Sequence, residues 1–473
     1  MIRLTLTEIA DVTGGRLNDV AEDEQDAAVA ATEVTGDVVV DSREAGPGGL
    51  FVARRGEHRD GHDYVAAASE AGVAAALVER IVADVGVPQI VVDDAERALG
   101  RLARGVVDRL PELVVVGVTG SSGKTTTKDL LAQALAPLGP VVAPPGSYNT
   151  EVGVPLTVLK ADHTTRTLIV EMGARGIGHI RYLCGVAPPR IGVVLNVGSA
   201  HLGEFGDRES IAQAKGELIE ALPREGTAVL NGDDQIVRRM AERAPTSVVM
   251  VGESVYADIR ADDVELDGTG RASFTLVTPG GTAPVTLRLI GEHQVANALA
   301  VAGVAHALGM PTSDIADQLS AAHSLSRWRM EVTERPDGVT VVNDAYNANP
   351  ESTRAALKAL ASMAQGRRTW AVLGEMLELG KDSAAEHDSI GRLAVRLNID
   401  RLVAVGEGAR AMQQGASLEG SWAGESTWVP DREAAAKLLA SELSSGDVVL
   451  VKSSRDAGLR HLGEDLAGQE ATT

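Results

Sequence analysis

Two rhythms of apolar and polar positions run along this chain. Short continuous apolar runs that stop at glycine or a polar residue read as buried strands, and stretches with apolar residues at helical spacing read as helices. Residues 1–110 alternate "VVVDS", "GLFVA", "AAALV" and "QIVV" with alanine-rich helical stretches, the pattern of a small α/β unit. A second unit, residues 111–325, opens on "LVVVGVTG", followed by a helical pattern from Lys124 to Ala136. Strands recur at "TLIVEMG", "RIGVVLNVG" and "GTAVLNGD", with helices such as "SIAQAKGELIEAL" between them, which predicts a mostly parallel sheet covered by helices. Residues 255–290 depart from this: period-two alternation with glycine-rich turns predicts an antiparallel insertion ahead of the long helix "EHQVANALAVAGVAHALG". From Trp328 the α/β alternation resumes through "GVTVVND", "RRTWAVLGE", "RLVAVGE" and "GDVVLVKSS", so residues 326–473 form a third unit. The expected fold class is α/β in three domains: a small N-terminal α/β domain, a central domain with a mostly parallel sheet and a C-terminal Rossmann-like α/β domain.

Composition narrows the function classes. At 473 residues the chain exceeds what one core can serve, in keeping with three domains. A net charge of −22 argues against nucleic acid as partner, because backbone phosphates need a basic surface. The single cysteine, Cys184, allows no intramolecular disulfide and fits a reducing compartment. The start "MIRLTLTEIADVTGG" meets acidic residues too early for a signal peptide, and no stretch reaches the ~18 apolar residues of a membrane span, so a cytoplasmic protein without membrane insertion is expected. Only eight of the 44 basic residues are lysines. Each is therefore worth inspecting wherever a compact charge or a nucleophilic amine is needed, although a solvated surface lysine is the alternative for any of them.

"GVTGSSGKTTTKD", residues 117–129, lies at the strand-to-helix junction of the second unit. It departs from the strict phosphate-loop spacing G-x-x-x-x-G-K-[ST]: the leading glycine would fall on Val118, whereas the glycines stand at 117 and 120. The order strand, glycine-rich turn, helix is nonetheless that of a phosphate cradle. Gly120, Ser121, Ser122 and Gly123 let backbone N–H groups approach phosphate oxygens, and the helix N-terminus adds partial positive charge. Lys124 can reach terminal phosphates, the Thr125 hydroxyl can ligate Mg²⁺, and Thr126 follows in the same turn. This makes the central unit a P-loop domain. Glu171 ends the strand of "IVEMGA" and His201 follows that of "NVGSAHLGEFG", so both are expected at the carboxyl edge where the loop sits. A carboxylate there can hold Mg²⁺. The alternatives are a loop-capping Glu171 and a partly buried structural His201.

With "GVTGSSGKTTTKD", "YNTEVGVPLTVL", "VEMGA", "NVGSAHLGEFG", "AKGEL", "GEHQVANALA", "NDAYNANP", "VLGEMLELG" and "VLVKSSR" in this order, the chain resembles the ATP-dependent Mur ligases of peptidoglycan precursor synthesis over nearly its whole length. "DSREAGPGGLFVARRGEHRDGHDYVAAASEAG" resembles the uridine-binding N-terminal domain shared by the two later enzymes of that series. "YNANP" then points to the branch that adds D-alanyl-D-alanine to UDP-N-acetylmuramoyl-tripeptide. The branch adding a diamino acid as third residue usually carries a Tyr-Ala-His version here and an Asp-Asn-Pro-Arg element, and this chain has neither. That branch, and a non-ligase P-loop ATPase module, are the alternatives.

The resemblance implies an ATP-dependent acid–amino-acid (peptide) ligase that uses ATP and Mg²⁺, with the two peptide substrates as partners and a monomeric chain. The tripeptide carboxylate would attack the γ-phosphate, and the amine of D-alanyl-D-alanine would displace phosphate from the acyl phosphate. By the same resemblance, Lys124, Glu171, His201 and Lys215 are catalytic. Thr125 and Glu171 match ligands of one Mg²⁺ and His201 of a second. Lys215 in "AKGEL" matches a lysine that these ligases carbamylate, which would turn it into a metal-facing anion, with a helix-surface lysine as the alternative. His293, Asn297, Arg329 and Asp344 match nucleotide contacts; Asn297 falls one helical turn after His293. Tyr346, Asn347 and Asn349 are placed on the D-alanyl-D-alanine side, with a turn leading into a helix at Pro350 as the structural reading of the same residues. Asn149, Thr150, Lys452 and Arg455 are further substrate contacts, and Ser42 and Arg43 mark the uridine nucleotide site. Trp328 and Ser453 stand where the family commonly has glycine, and Tyr64 where phenylalanine is frequent.

Overall fold

The computed structural model describes residues 1–18, 28–56, 58–198, 202–419 and 425–468. Three α/β layers follow one another along the chain, each built on its own sheet. The first has five strands in the order Arg16–Leu17, Gln89–Val91, Ala75–Val78, Leu50–Val52, Val38–Val39, parallel except at its first pair. A two-stranded ribbon, Leu4–Thr5 with Glu33–Val34, stands beside it. Helix Ala95–Asp108, capped by the Asp94 side chain, lays its apolar stripe (Leu99, Leu102, Val106) into a core continuous with that of the next layer. The first two units therefore share packed surface rather than a bare linker.

The central sheet has nine strands. Val114–Thr119 lies between Thr167–Glu171 and Ile191–Val194, all parallel, and the ladder continues in parallel through Thr227–Asn231 and Ser247–Gly252. These inner strands are buried on both faces, which is why they read as unbroken apolar runs. The stretch expected as an insertion instead extends this sheet. Ile259–Leu266 pairs parallel to Ser247–Gly252, and Arg271–Thr278 and Gly281–Ile290 then add antiparallel strands to its edge. Period-two burial in Arg271–Thr278 reported the half-covered face correctly. It carried no information about which edge the hairpin would join. The helix expected to reach Ala136 stops at Ala134 and gives way to a 3₁₀ turn, Ala136–Leu138, because Pro137 has no N–H to continue the ladder.

The third sheet runs Glu331–Glu334, Thr340–Asn343, Val448–Lys452, Thr369–Gly374, Arg401–Val405, Ser426–Val429, parallel after its first pair, with an apolar core on each face. No helix among the described residues is long and apolar enough to cross a membrane.

Candidate active site

The carboxyl ends of the central strands and the first loops of the third unit enclose a cavity of 1460 Å³. Its floor is the turn between strand Val114–Thr119 and helix Lys124–Ala134. Gly123 caps that helix at φ +82°, and a Cβ there would stand 2.5 Å from Asn297 Oδ1, so the turn needs glycine for both conformation and space. Ser121 and Ser122 are tied down from the neighbouring strand end. Asn196 Oδ1 accepts from the Ser122 N–H at 2.9 Å, and Ser121 Oγ accepts from the Gly198 N–H at 2.9 Å. Gly120 lies beneath, its carbonyl accepting from the Lys124 ammonium at 2.7 Å. Burial holds the Lys124 pKa below the usual lysine range; Glu171 opposes that shift and Arg329 adds to it. Thr126 lines the cavity one residue further on.

Thr125 is the hub. Its hydroxyl donates to Glu171 Oε2 at 2.8 Å, shares a 2.7 Å bond with Ser147 Oγ, and accepts from Arg329 Nη2 at 2.8 Å. Those three bonds use its one proton and both lone pairs. Glu171, buried at its strand end, receives Asn149 Nδ2 on its other oxygen at 2.8 Å. Thr150 next to it accepts from the Gly153 N–H, ahead of the helix Gly153–Val158.

The third unit supplies the roof. Arg329 reaches Thr125 and Ser147 from a linker whose two flanking residues, Trp328 and Met330, both have positive φ (59° and 50°). Its guanidinium lies 4.3 Å from the Tyr346 ring centre, with Arg455 at 5.9 Å from the same ring and Trp328 stacked on it. Arg329 Nε is buried and unpaired among the described residues. Asp344, just past strand Thr340–Asn343, pairs with the buried Lys452 ammonium at 2.6 Å and accepts the Met330 N–H at 3.1 Å. Lys452 also donates to the Asn347 carbonyl at 3.0 Å. Asn349 caps helix Pro350–Ala364 with its oxygen and donates its amide N–H to the Ser121 carbonyl at 3.1 Å, so "NANP" is both the expected turn and a bridge to the floor. His293 stands at the start of helix Gln294–Ala307 without a side-chain capping bond, and burial lowers its pKa to about 4. Asn297, in that helix, accepts from Thr127 at 3.3 Å and donates to Gln294 at 2.8 Å.

Of the residues singled out by sequence, those from Ser121 to Thr126, together with Asn149, Thr150, Glu171, His293, Asn297, Arg329, Asp344, Tyr346, Asn347, Asn349, Lys452 and Arg455, meet around this one cavity. His201 lies outside the described residues. Lys215 is 5 % exposed, so the surface-lysine alternative fails. Burial first, and then the nearby Lys124 charge, pushes its pKa far down, and no hydrogen bond or ion pair joins it to another described residue. Ser42 and Arg43 stand apart on a 3₁₀ turn of the first unit, with Arg43 exposed and paired to Asp41, which it holds down to about 2. Sequence reasoning passed over Ser147 and Asn196, which the fold brings to the loop from other turns. It also missed the buried Lys128–Asp129 pair, which ties the Pro144 carbonyl and the Ser326 N–H to the P-loop helix. The run "GSYNT" held a signal for Ser147, a small hydroxyl residue two positions before Asn149.

Three family models match the chain in order. The Mur ligase family catalytic domain matches residues 37–106, the Mur ligase middle domain 118–305, and the Mur ligase glutamate ligase domain 328–455. UDP-N-acetylmuramoyl-tripeptide--D-alanyl-D-alanine ligase of Mycobacterium bovis is 49% identical, over 99% of both chains. Among solved structures, UDP-N-acetylmuramoylalanyl-D-glutamyl-2,6-diaminopimelate--D-alanyl-D-alanyl ligase from Acinetobacter baumannii superposes with a TM-score of 0.84 at 31% identity, covering 99% of each chain. The MurF ligase from Thermotoga maritima in complex with ADP superposes at 0.80 and 31%, covering 92% of this chain and 98% of its own. With all three layers matched in order and relatives this similar along its whole length, the chain belongs to the Mur ligase family.

Proposed function

We propose that this chain is the ATP-dependent ligase that joins D-alanyl-D-alanine to UDP-N-acetylmuramoyl-tripeptide in peptidoglycan precursor synthesis, releasing ADP and phosphate. The observation that carries the reading is the Thr125 hub, where the Glu171 carboxylate of the central unit and the Arg329 guanidinium of the third converge beside the P-loop lysine. In this reading residues 1–110 hold the UDP end of the acceptor through Ser42 and Arg43. Residues 111–325 hold ATP, and residues 326–473 bring in the dipeptide and close the site, in a monomer working in the cytoplasm.

The chemistry follows from charge. ATP and the tripeptide carboxylate are both anions, so cationic neutralisation is the largest need of the first step. Lys124 and the N–H groups of the loop receive the β- and γ-phosphates, and Arg329, positioned over Tyr346, offers a second cation on the C-terminal side. The tripeptide carboxylate attacks the γ-phosphorus, ADP leaves, and an acyl phosphate forms. The amine of D-alanyl-D-alanine then attacks the acyl carbon and phosphate departs, leaving an amide. Asn347 and Asn349 line the side from which that amine would approach.

The donor set fits Mg²⁺. Thr125 Oγ, Ser147 Oγ and the Glu171 carboxylate are hard oxygens, and among the described residues no trio of His, Cys, Asp or Glu gathers as a closed metal cage. A site with one carboxylate that completes itself with substrate phosphates and water suits this ion. Thr125 and Glu171 would hold it, with His201 and a carbamylated Lys215 toward a second ion. Bound there, Mg²⁺ supplies Lewis-acid neutralisation of the transferred phosphoryl group.

The test is ADP release with UDP-N-acetylmuramoyl dipeptide or tripeptide as acceptor, each with and without D-alanyl-D-alanine. Turnover is expected only with tripeptide and D-alanyl-D-alanine together. Robust turnover with the dipeptide and a free diamino acid would move the chain to the branch that adds the third residue.

A further inference from the structure

In the proposed reaction the acceptor reacts through a carboxyl of its third residue, so the side chain of that residue starts beside the phosphate loop and extends along the cavity wall. The wall leading away from Glu171 toward the first unit is made by two adjacent loops. Asn149 fixes the first through its 2.8 Å bond to Glu171, and its carbonyl accepts the Gly173 N–H of the second at 2.9 Å. From the first loop Glu151 turns into the cavity and pairs with His179 Nδ1 at 2.9 Å. From the second, Arg175 also lines the cavity; it is exposed and has no hydrogen bond or ion pair to another described residue.

The base of this wall is rigid. Glu217, fully buried, accepts the N–H groups of Gly178 and Arg181 at 2.6 and 3.0 Å, pinning the second loop where helix His179–Val186 begins. Glu151 and Arg175 thus line one cavity, carried by two loops that meet at Asn149 and Gly173 beside Glu171.

We propose that this wall reads the third residue of the acceptor: Glu151 takes a side-chain ammonium and Arg175 a side-chain carboxylate. The preferred residue therefore carries both groups, an amino-acid head at the end of its side chain. Lysine, which offers only the ammonium, satisfies half of the wall. The inference rests on the tripeptide-ligase reading and assigns residues of this chain to the third residue of that substrate.

The experiment uses the full chain with ATP and D-alanyl-D-alanine, and compares kcat/KM for UDP-linked tripeptides ending in meso-2,6-diaminopimelate or in L-lysine. The wild type should favour the diaminopimelate acceptor by about ten-fold, the scale of one charge-assisted hydrogen bond in a half-open site. Arg175→Gln should bring the two acceptors within about two-fold of each other, and Arg175→Glu should invert the order, since a carboxylate repels one end of diaminopimelate only. Glu151→Gln should lower both acceptors by a similar factor, because both carry the ammonium. A wild type without preference overturns the proposal. So does Arg175→Gln lowering both acceptors equally, which would put Arg175 on the diphosphate instead. Arg175 is exposed, so its variants are expected to fold, and an unchanged KM for ATP verifies this. Failure of both tripeptides to support ADP release would instead fail the ligase reading, an outcome separate from turnover without preference.

Discussion

The two ends of the molecule hold their charges in opposite ways. Around Thr125, charged and polar groups from the central and third units are buried and already bonded to one another: Glu171 to Thr125 and Asn149, Asp344 to Lys452, Arg329 to Thr125 and Ser147. On the Ser42–Glu44 turn of the first unit, the Arg43 side chain is 87 % exposed and, among the described residues, bonded only to the nearby Asp41. A buried network costs desolvation before any ligand arrives and returns it as preorganisation, so its members should govern rate. An exposed pair is worth little to stability and can exchange its partner for a ligand, so it should govern affinity.

The largest effect that would sharpen this contrast belongs to Lys215. A buried amine driven toward neutrality, near the Lys124 cation and without a partner among the described residues, is a group that CO₂ can carbamylate. Lys215→Arg keeps a cation but cannot form a comparable stable carbamate, so kcat should fall by on the order of 10² or more. A mass increment of one CO₂ on Lys215 in the intact protein would support the assignment; wild-type rates in Lys215→Arg would refute it.

Arg43→Ala comes next. Exchange of Asp41 for a substrate phosphate predicts that KM for the UDP-linked acceptor rises by about twenty-fold while kcat barely moves. A fall in kcat at unchanged KM would erase the distinction between the two ends.

The smallest effect is a pH dependence. His293 is held near 4 against an ordinary value of 6.5, so the fold prefers its neutral ring. Its contribution to stability is fully present above the unfolded value and is lost as pH falls from about 6.5 toward 4. Between about pH 7.5 and pH 5.5 this amounts to on the order of 1 kcal/mol. Amide exchange should accelerate first in the helix Gln294–Ala307 that His293 precedes, and His293→Gln should flatten the slope. An unchanged slope in that variant would assign the acid sensitivity to other groups.

Local chemistry made much of this legible. The strand, turn and helix around Lys124, the strand ending at Glu171 and the Asn349–Pro350 helix start are each written within a few consecutive residues, and the structure has each of them. What escaped was non-local. Asn196 lies 74 residues from Ser122, and Ser326 stands 197 residues from the Asp129 that receives its N–H. No periodicity links such pairs; only the stacking of parallel strand ends does. The edge taken by residues 259–290 was equally invisible, since alternation reports a covered face and not a neighbour.

Trp328 sits where the linker bends into the third unit, stacked on Tyr346, with the Arg327 and Arg460 cations at 5.2 and 5.7 Å from its ring and its indole N–H donated to Glu464 at 3.0 Å. Arg329, the next residue along, donates directly to the Thr125 hub. Indole emission depends on nearby charge and on the partner of its N–H. The joint between the two larger units thus carries its own fluorophore, one of four tryptophans in the chain, and any rearrangement there on ligand binding can be timed by stopped-flow emission without attaching a label.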